Sequence, residues 1–598
     1  MSATSPSVIL SQRDVEFLLY EWLNVQALTA HERYSDHSRE IFDAVLDLSR
    51  TLAEEHYRPH NQMSDAHEPH FDGERVHIIP QIKAALEAFA ESGLLGSAMD
   101  ASVGGEQLPQ VVARACAVWL QAANASTSNY HLLSAGNANL LAHYGTADQI
   151  RRFVRPVVEG RFSGTMCLSE PQAGSSLSDV QTRAVPDGND YRLFGSKMWI
   201  SGGDHELTEN IVHLVLARIE GAAPGVKGLS LFIVPRFLVD DEARLTERND
   251  VTLAGINHKM GQRGCVNTVL SFGDGRHQVD GRPGAVGYLV GQPGQGLAYM
   301  FHMMNEARIA VGSLAVALGY TGYLHSLDYA RTRLQGRLPS AKDPSLPQTA
   351  IVHHPDVRRM LLTQKSYVEG GLGLILYVAM ILDRIEVAPD EQERARLGLL
   401  LDVLTPIVKA WPSQWCLKAN DLAIQVLGGY GYTRDYPLEQ FYRDNRLNPI
   451  HEGTDGIQSL DLLGRKVVMQ EGRALMILAE EIERSIAAAP AALAEEGTAL
   501  RSAVDRLVAV TQKVWSDGNP DTALANSFLY LEAFGHTVIA WMWLEQMAAA
   551  HGRGGSFYDG KRLAGRYFFT YELPRIQPLL DVVESTDRLF VDLDDQAL

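Results

Sequence analysis

The chain is poor in cysteine. Its four, Cys116, Cys167, Cys265 and Cys416, are widely separated and show no CxxC spacing. That argues against a disulfide framework and a cysteine-rich zinc site, and fits a reducing compartment. Positive charge is also short: 53 Lys+Arg against 72 Asp+Glu leave a formal charge of −19. A general nucleic-acid binder, which relies on cationic contacts with phosphates, is therefore not expected. A phosphorylated small ligand remains open, because a basic pocket can sit on an acidic protein. The longest uncharged apolar runs, IAVGSLAVALGYTGYL and GGLGLILYVAMIL, fall short of the roughly 20 residues a spanning helix needs. The N-terminus MSATSPSVILSQRDVEF lacks both a basic-then-apolar pattern and an Arg-rich amphipathic one, so no leader and a soluble protein are expected. No GxxxxGK[ST] or GxSxG occurs. His451-Glu452 does not continue as HExxH, and His353-His354 has no third spaced ligand, so no metal site is expected.

What is present is ordered along the chain. At 598 residues the length implies about three or four domains. Residues 12–160 read as successive helices, as in SREIFDAVLDLSRTLAEEHY and IIPQIKAALEAFAESGLL, with apolar residues at three- and four-residue spacing. After Gly160 short runs such as YRLFGSKMWI, IVHLVLARI, LSLFIVP and TVLSFGD are divided by Gly, Asp, Asn and Pro, the pattern of strands in a small sandwich or barrel. Helical periodicity returns over 296–331, 355–385, 391–428 and 453–486, each long enough for a bundle helix. The Ala/Pro/Glu joint IAAAPAALAEEGT marks a boundary, followed by helical stretches at 498–516, 520–550 and 560–586 whose aromatics recur on helical faces as core. The expected class is α+β: an N-terminal helical domain (1–162), a small β module, sandwich or barrel (163–292), a helical bundle (293–486) and an additional C-terminal helical domain (487–598).

Several stretches stand out. MCLSEPQAGSSLSDVQTRA places Ser169, Ser175 and Ser176 around Gly174 after a proline turn, where backbone N–H groups and hydroxyls suit a polar ring edge or a phosphate. KMWISGGD puts Trp199 and Ser201 at a strand end, as core or as a surface for a flat conjugated group. RTRLQGR clusters arginines, with Arg308 upstream. QVLGGYGYTRDYPLEQFYRDNR carries Gly428, Gly429 and Gly431 after a helix, a helix stop rather than the dinucleotide fingerprint. NRLNPIHEGTDGIQSLDLLGRK sets one acid, Glu452, at a corner reached through Pro449 and left as a helix. On local grounds that acid is a favourable charge near a helix N-terminus.

The order and spacing of CLSEPQAGSS, KMWISGGD, HKMGQRG, RTRLQGR, QVLGGYGYTRDYPLEQFYRDNR and IHEGTDGIQ resemble the acyl-CoA dehydrogenase family. The resemblance runs from about residue 40 to 470, and implies an N-terminal α-helical domain, a central small β-barrel and a C-terminal four-helix bundle. The extra C-terminal module resembles the bacterial branch of about 600 residues, which contains long- and medium-chain acyl-CoA dehydrogenases and methylmercaptopropionyl-CoA dehydrogenase. It implies FAD as cofactor, an acyl-CoA substrate, an electron-transfer flavoprotein as electron acceptor, a homodimer and a cytoplasmic bacterial location. It further implies that Met166, Leu168, Ser169, Gly174 and Ser175 touch the flavin, with Ser175 also beside the substrate. Trp199 and Ser201 match the stacking aromatic and its neighbouring hydroxyl, where threonine is frequent. Arg333 matches an arginine on the FAD pyrophosphate across the dimer interface, and Gln425, Gly428 and Gly429 match the turn receiving the adenylate side. Thr454 and Gly456 match flavin-contacting positions, the latter often glutamine. Asn305, Arg308 and Gly453 match substrate-side positions, and Glu452 falls on the catalytic base.

The chemistry so implied is dehydrogenation to a trans-2-enoyl-CoA, in fatty-acid β-oxidation, with Glu452 abstracting the α-proton and the flavin accepting the β-hydride. Some relatives carry the base at a position matching Ala307; its neighbour Glu306 should face elsewhere, because one residue turns about 100° around a helix. An acyl-CoA oxidase and a non-catalytic acyl-CoA-binding protein are the alternatives. Acyl chain length and tail chemistry are not legible.

Overall fold

The strand-length runs after Gly160 become an eight-stranded sheet, beside a small pair Phe237–Val239 and Leu245–Arg248, in a computed structural model that describes residues 7–341 and 343–598. Part of the N-terminal stretch read for a leader, residues 1–6, lies outside the described residues. The strands are β1 Phe162–Cys167, β2 Arg183–Asp187, β3 Asp190–Ser201, β4 Asn210–Ile219, β5 Leu229–Pro235, β6 Val251–Ile256, β7 Asn267–Phe272 and β8 Ala285–Val290. Their order is β6-β7-β3-β8-β5-β4-β1, and β2 pairs with both β3 and β4, which closes a ring through β8 and β5. Leu193, Val215, Phe232 and Val234 of the ring strands share one buried cluster with Leu270 of β7. Closure leaves β3 with few free edge groups, a useful foundation for a site at its end.

The chain divides into two compact units, one of Glu40–Leu108 and Trp119–Ala310, the other of Met1–Arg39, Pro109–Val118 and Val311–Leu598. In the first, helix Ala125–Tyr144 lies on β1 at close range: a Cβ on Gly164 would come within 2.4 Å of Asn137 Cβ. Asn137 Nδ2 donates to the carbonyls of Thr165 and Val212 at 3.1 and 2.9 Å, tying helix to β1 and β4.

The second unit holds the long helices. Gly296–Thr332 enters it at Val311 and is followed by Pro355–Glu386 and Glu391–Leu427. The single helix expected over 453–486 is instead broken: Asp455–Asp461 passes through a wide turn, and Met469–Ala488 begins with Gln470, Glu471 and Gly472 at φ 46°, 59° and 86°. Gly472 tolerates that left-handed geometry, and the helical pattern of its neighbours masks it in sequence. The helix expected over 560–586 is likewise divided, into Ser556–Tyr567 and Ile576–Glu584, with Pro574 in the break between them. The Ala/Pro/Glu joint is a short break at Ala489–Pro490.

The C-terminal aromatics are core. Trp541 and Trp543 of helix Ser527–Ala549 are buried, and Trp543 Nε1 donates to the Ser366 carbonyl at 3.0 Å. Beside them Lys561, fully buried, meets Asp14 from the start of the chain, Glu369 at 2.9 Å and Gln546 Oε1 at 3.0 Å. Tyr320 donates to Asp14 at 2.9 Å. A buried ammonium needs such partners, because unpaired it would be costly to desolvate.

Against the sequence expectation, Gly296–Thr332 is long and apolar enough to cross a membrane, since its apolar character runs on past Arg308 at one end and through His325, Ser326 and Leu327 at the other. Yet 83% of its most apolar window is buried inside the protein, the character of a core helix.

Candidate active site

Glu452 sits at φ 54°, left-handed and unusual for a residue with a side chain, and Gly453 follows at φ 88°. Such an outlier persists only where its surroundings over-determine it. Four sets of contacts do so. Upstream, His451 Nε2 donates to Asn448 Oδ1 (3.2 Å), Asn448 to Asn445 Oδ1 (2.9 Å) and Asn445 to Asn420 Oδ1 (2.7 Å). Asn445 and Asn420 also donate to the carbonyls of Ala315 and Leu318, which anchors this ladder to the first bundle helix. The three asparagines are fully buried. Downstream, Thr454 caps helix Asp455–Asp461 by accepting from Ile457 N at 3.2 Å. Asp455 binds Lys409 at 3.3 Å and Gln414 at 2.7 Å; burial raises its carboxyl above the usual range although Lys409 opposes the shift. At the corner itself, Gln458 Nε2 donates to the Glu452 carbonyl at 3.0 Å.

In the same unit, Tyr329, Arg333, Gln335, Gln425, Gly428 and Gly429 line an open cleft of ≈ 500 Å³. Helix Glu391–Leu427 stops at Gly428 (φ 60°, ψ −135°), a conformation glycine takes without strain. Nothing lies within 4 Å of a Cβ built on Gly428 or Gly429, so both leave bare backbone facing open space. Among the described residues, the exposed Arg333 guanidinium is in no ion pair.

The other unit carries a second cluster. Between β3 and β7 the register slips by one residue at Met198-Trp199, and Trp199 takes φ 67°. This bulge turns the indole outward, leaving it 60% exposed between half-buried Met198 and buried Ile200 near the end of the strand. The adjoining loop is fastened to it: Met198 N donates to the Ser169 carbonyl at 2.9 Å. Beneath, Lys197 Nζ, fully buried, binds Glu170 Oε1 and the Leu168 carbonyl, both at 2.9 Å. Glu170 also accepts from Thr182 N (3.0 Å), Thr182 Oγ1 (2.6 Å), Gln181 N (2.8 Å) and Gln172 Nε2 (2.7 Å). Burial pushes the Glu170 carboxyl up, but Lys197 and these donors outweigh it and hold it below the usual carboxylate range. Gly174 and Ser175 are exposed above this anchor, Met166 and Ser169 half-buried and Leu168 buried. Ser201 Oγ accepts from Asn267 at 3.2 Å. On helix Gly296–Thr332 Arg308 is buried and Asn305 half-buried. Glu306 turns its carboxylate to Asn139 Nδ2, 3.1 Å from each oxygen.

The sequence-predicted residues thus fall into groups. Arg333, Gln425, Gly428 and Gly429 share one cleft, and Glu452, Gly453, Thr454 and Gly456 share one corner. The 166–175 loop adjoins the Trp199–Ser201 bulge. Sequence reasoning missed the supports: Gln458, the Asn420–Asn445–Asn448 ladder, Asp455–Lys409 and Glu170–Lys197. The available signals were a lone lysine inside an apolar strand and asparagines spaced by three before the corner.

Helices, a closed barrel and a helical bundle thus follow one another in the order that the sequence resemblance implies, with Glu452 at a left-handed corner. Residues 40–161, 165–274 and 294–467 match the N-terminal, middle and C-terminal domains of acyl-CoA dehydrogenases, and residues 478–594 match an acetyl-CoA dehydrogenase C-terminal-like domain. The chain is 36% identical to 3-methylmercaptopropionyl-CoA dehydrogenase of Ruegeria pomeroyi, over 92% of this chain and 93% of the relative. It is 35% identical to the broad-specificity linear acyl-CoA dehydrogenase FadE5 of Mycobacterium tuberculosis, over 98% of each. Its fold is similar to that of an acyl-CoA dehydrogenase from Bacillus anthracis complexed with FAD (TM-score 0.75, 19% identity, 92% of this chain and 89% of that one). The chain belongs to the acyl-CoA dehydrogenase family. It is an FAD-dependent oxidoreductase acting on acyl-CoA. The residues present fit that cofactor: an exposed arginine beside bare glycine backbone suits a pyrophosphate, and an exposed indole at a strand end suits a flat ring.

Proposed function

We propose that this protein dehydrogenates an acyl-CoA thioester between Cα and Cβ, giving a trans-2-enoyl-CoA, with Glu452 as the base that takes the α-proton. The observation that carries the reading is the clamped left-handed corner at Glu452, which spends strain to aim one carboxylate. FAD, when bound, supplies the two-electron acceptor for the β-hydride. Met166, Leu168, Ser169, Gly174, Ser175, Trp199, Ser201, Thr454 and Gly456 would hold its flavin end, and Arg333, Gln425, Gly428 and Gly429 its phosphate and adenylate end from a second copy of the chain. Asn305, Arg308, Gly453 and Ser175 would orient the thioester. The α-proton of a thioester is a weak acid, so hydrogen bonds to the carbonyl must stabilise the developing enolate while Glu452 receives the proton.

The names of the two relatives support an unbranched acyl group, with a thioether tail among the candidates. We further propose the four-part division at residues 162, 292 and 486, a homodimer, an electron-transfer flavoprotein as acceptor, a cytoplasmic bacterial location and a role in fatty-acid β-oxidation. The deciding experiment is anaerobic stopped-flow bleaching of the flavin. Glu452→Gln keeps shape and hydrogen bonding but cannot take the proton, so reduction should slow by ~10²–10⁴-fold with FAD and acyl-CoA still bound. A near-native rate in Glu452→Gln, with Glu306→Gln inactive, would overturn the assignment. Hydrogen peroxide formed stoichiometrically in turnover would make the enzyme an oxidase.

A further inference from the structure

Gln458 is used by nothing in the chemistry just described, yet it is fully buried against the corner that carries Glu452. Its Nε2 donates to the Glu452 carbonyl at 3.0 Å and reaches the Gly453 carbonyl at 3.4 Å. Its Oε1 is buried and, among the described residues, has no hydrogen-bond partner. Leaving an amide oxygen unsatisfied costs about 1–3 kcal/mol. A methionine or leucine would fill the space but would lose both contacts to the Glu452 and Gly453 carbonyls. Gly453 shows how tightly the contact is built: a Cβ there would lie 2.6 Å from Gln458 Nε2. The flanks of the corner are fixed independently, through Asn448 on one side and Asp455 on the other. Gln458 meets the peptide between Glu452 and Gly453 itself, through the carbonyls on both of its sides. The orientation of that peptide decides whether Glu452 stays left-handed or flips to the ordinary right-handed form favoured by about 1–2 kcal/mol.

We propose that Gln458 is a positioning residue for the dehydrogenation: it locks the Glu452–Gly453 peptide and so fixes the direction of the base without touching substrate or cofactor. The proposal rests on the reading of Glu452 as the base. Losing the lock lets the carboxylate wander, and misplacement by about 1 Å is enough for a loss near 10²-fold. Substrate and FAD binding, which other residues supply, should change little. A merely structural role would lower stability and cofactor content instead.

The test uses the full-length FAD-loaded enzyme with Gln458→Met, which keeps the volume and removes the donor. Limiting anaerobic flavin reduction by a saturating acyl-CoA thioester should fall about 10–100-fold, while the acyl-CoA Kd and FAD content stay within about twofold of native, the margin between a positioning and a binding effect. Gln458→Glu, equal in size but unable to donate when ionised, should do the same, and it decides the matter if the Met variant does not fold. In a Glu452→Gln background, Gln458→Met should cost no further rate, since the group it positions no longer acts. Native reduction rates in both single variants, or a full additional loss on top of Glu452→Gln, would overturn the proposal. If Glu452→Gln itself reduces at the native rate, the base assignment fails; if only the Gln458 variants do, that assignment stands and the positioning role falls.

Discussion

Lys197→Met tests how the barrel presents its exposed tryptophan. The substitution keeps the length of the stem but removes a fully buried ammonium, leaving Glu170 with four neutral donors and no counter-charge. Breaking one side of a buried pair typically costs about 3–5 kcal/mol. In a unit of this size about 1 kcal/mol corresponds to roughly 2–4 °C, so the temperature of flavin release should fall on the order of 10 °C. Flavin fluorescence during a thermal ramp reads this directly. Glu170→Gln should fall by a similar amount, because it strands the ammonium. Glu170→Gln with Lys197→Met removes both charges, and its loss should be well under the sum, with a coupling of about 2 kcal/mol or more. Additive losses, or single variants within about 2 °C of native, which is under 1 kcal/mol by the same scale, would refute the view that this pair fastens the 168–182 loop to the bulge.

Arg333→Ala should weaken FAD binding about 10–100-fold, the ~1.5–3 kcal/mol of a charge-assisted contact, in a fluorescence titration; an unchanged Kd, or full FAD retention in a strictly monomeric preparation, counts against the cleft or the dimer. Burial pushes His131, His205 and His213 from the usual 6.5 down to about 3, so all three are neutral when folded and protonated when unfolded between those values. Stability is therefore full above pH 6.5 and is lost as pH falls towards 3; Tm should drop steeply from pH 6.5 to 4.5, His213→Gln should flatten the drop, and a flat profile in the native protein would contradict this. A chain ending after Ala488 loses Lys561 and Trp543, leaving Asp14 without its buried cation and stripping the bundle face at Ser366; it should be insoluble or far less stable, and native Tm and kinetics would show the module to be dispensable.

The fold was legible where physics is local. Strands such as Asn210–Ile219 and Leu229–Pro235 announce themselves as apolar runs between turn residues. The cleft residues and the Glu452 corner were legible as spaced motifs, because glycines and a lone acid are conspicuous. The break at Gln470–Gly472 was not, since two of its three left-handed residues look like helix formers. Nor was the closure of the ring by β2, which depends on a parallel pairing of Arg183 and Ala184 with Arg218 and Ile219. The supports at Gln458, Asn445 and Lys197 stayed hidden for a related reason: each acts through a partner carbonyl or carboxylate that only the folded chain brings near.

The buried meeting of Asp14, Glu369 and Lys561 has a consequence in time. Arg13 and Tyr558 beside it, bonded at 2.8 Å, are 545 residues apart in the chain. At about 5–20 residues per second, a ribosome needs roughly half a minute to two minutes to deliver the second partner after the first. For that interval Asp14 and its apolar neighbours Phe17 and Leu18 have no finished site to enter, whereas residues 119–310 can pack as soon as they emerge. Docking of the first segment onto the bundle is therefore completed only at the end of synthesis, and that segment is the one that nascent-chain binding factors have to shield longest.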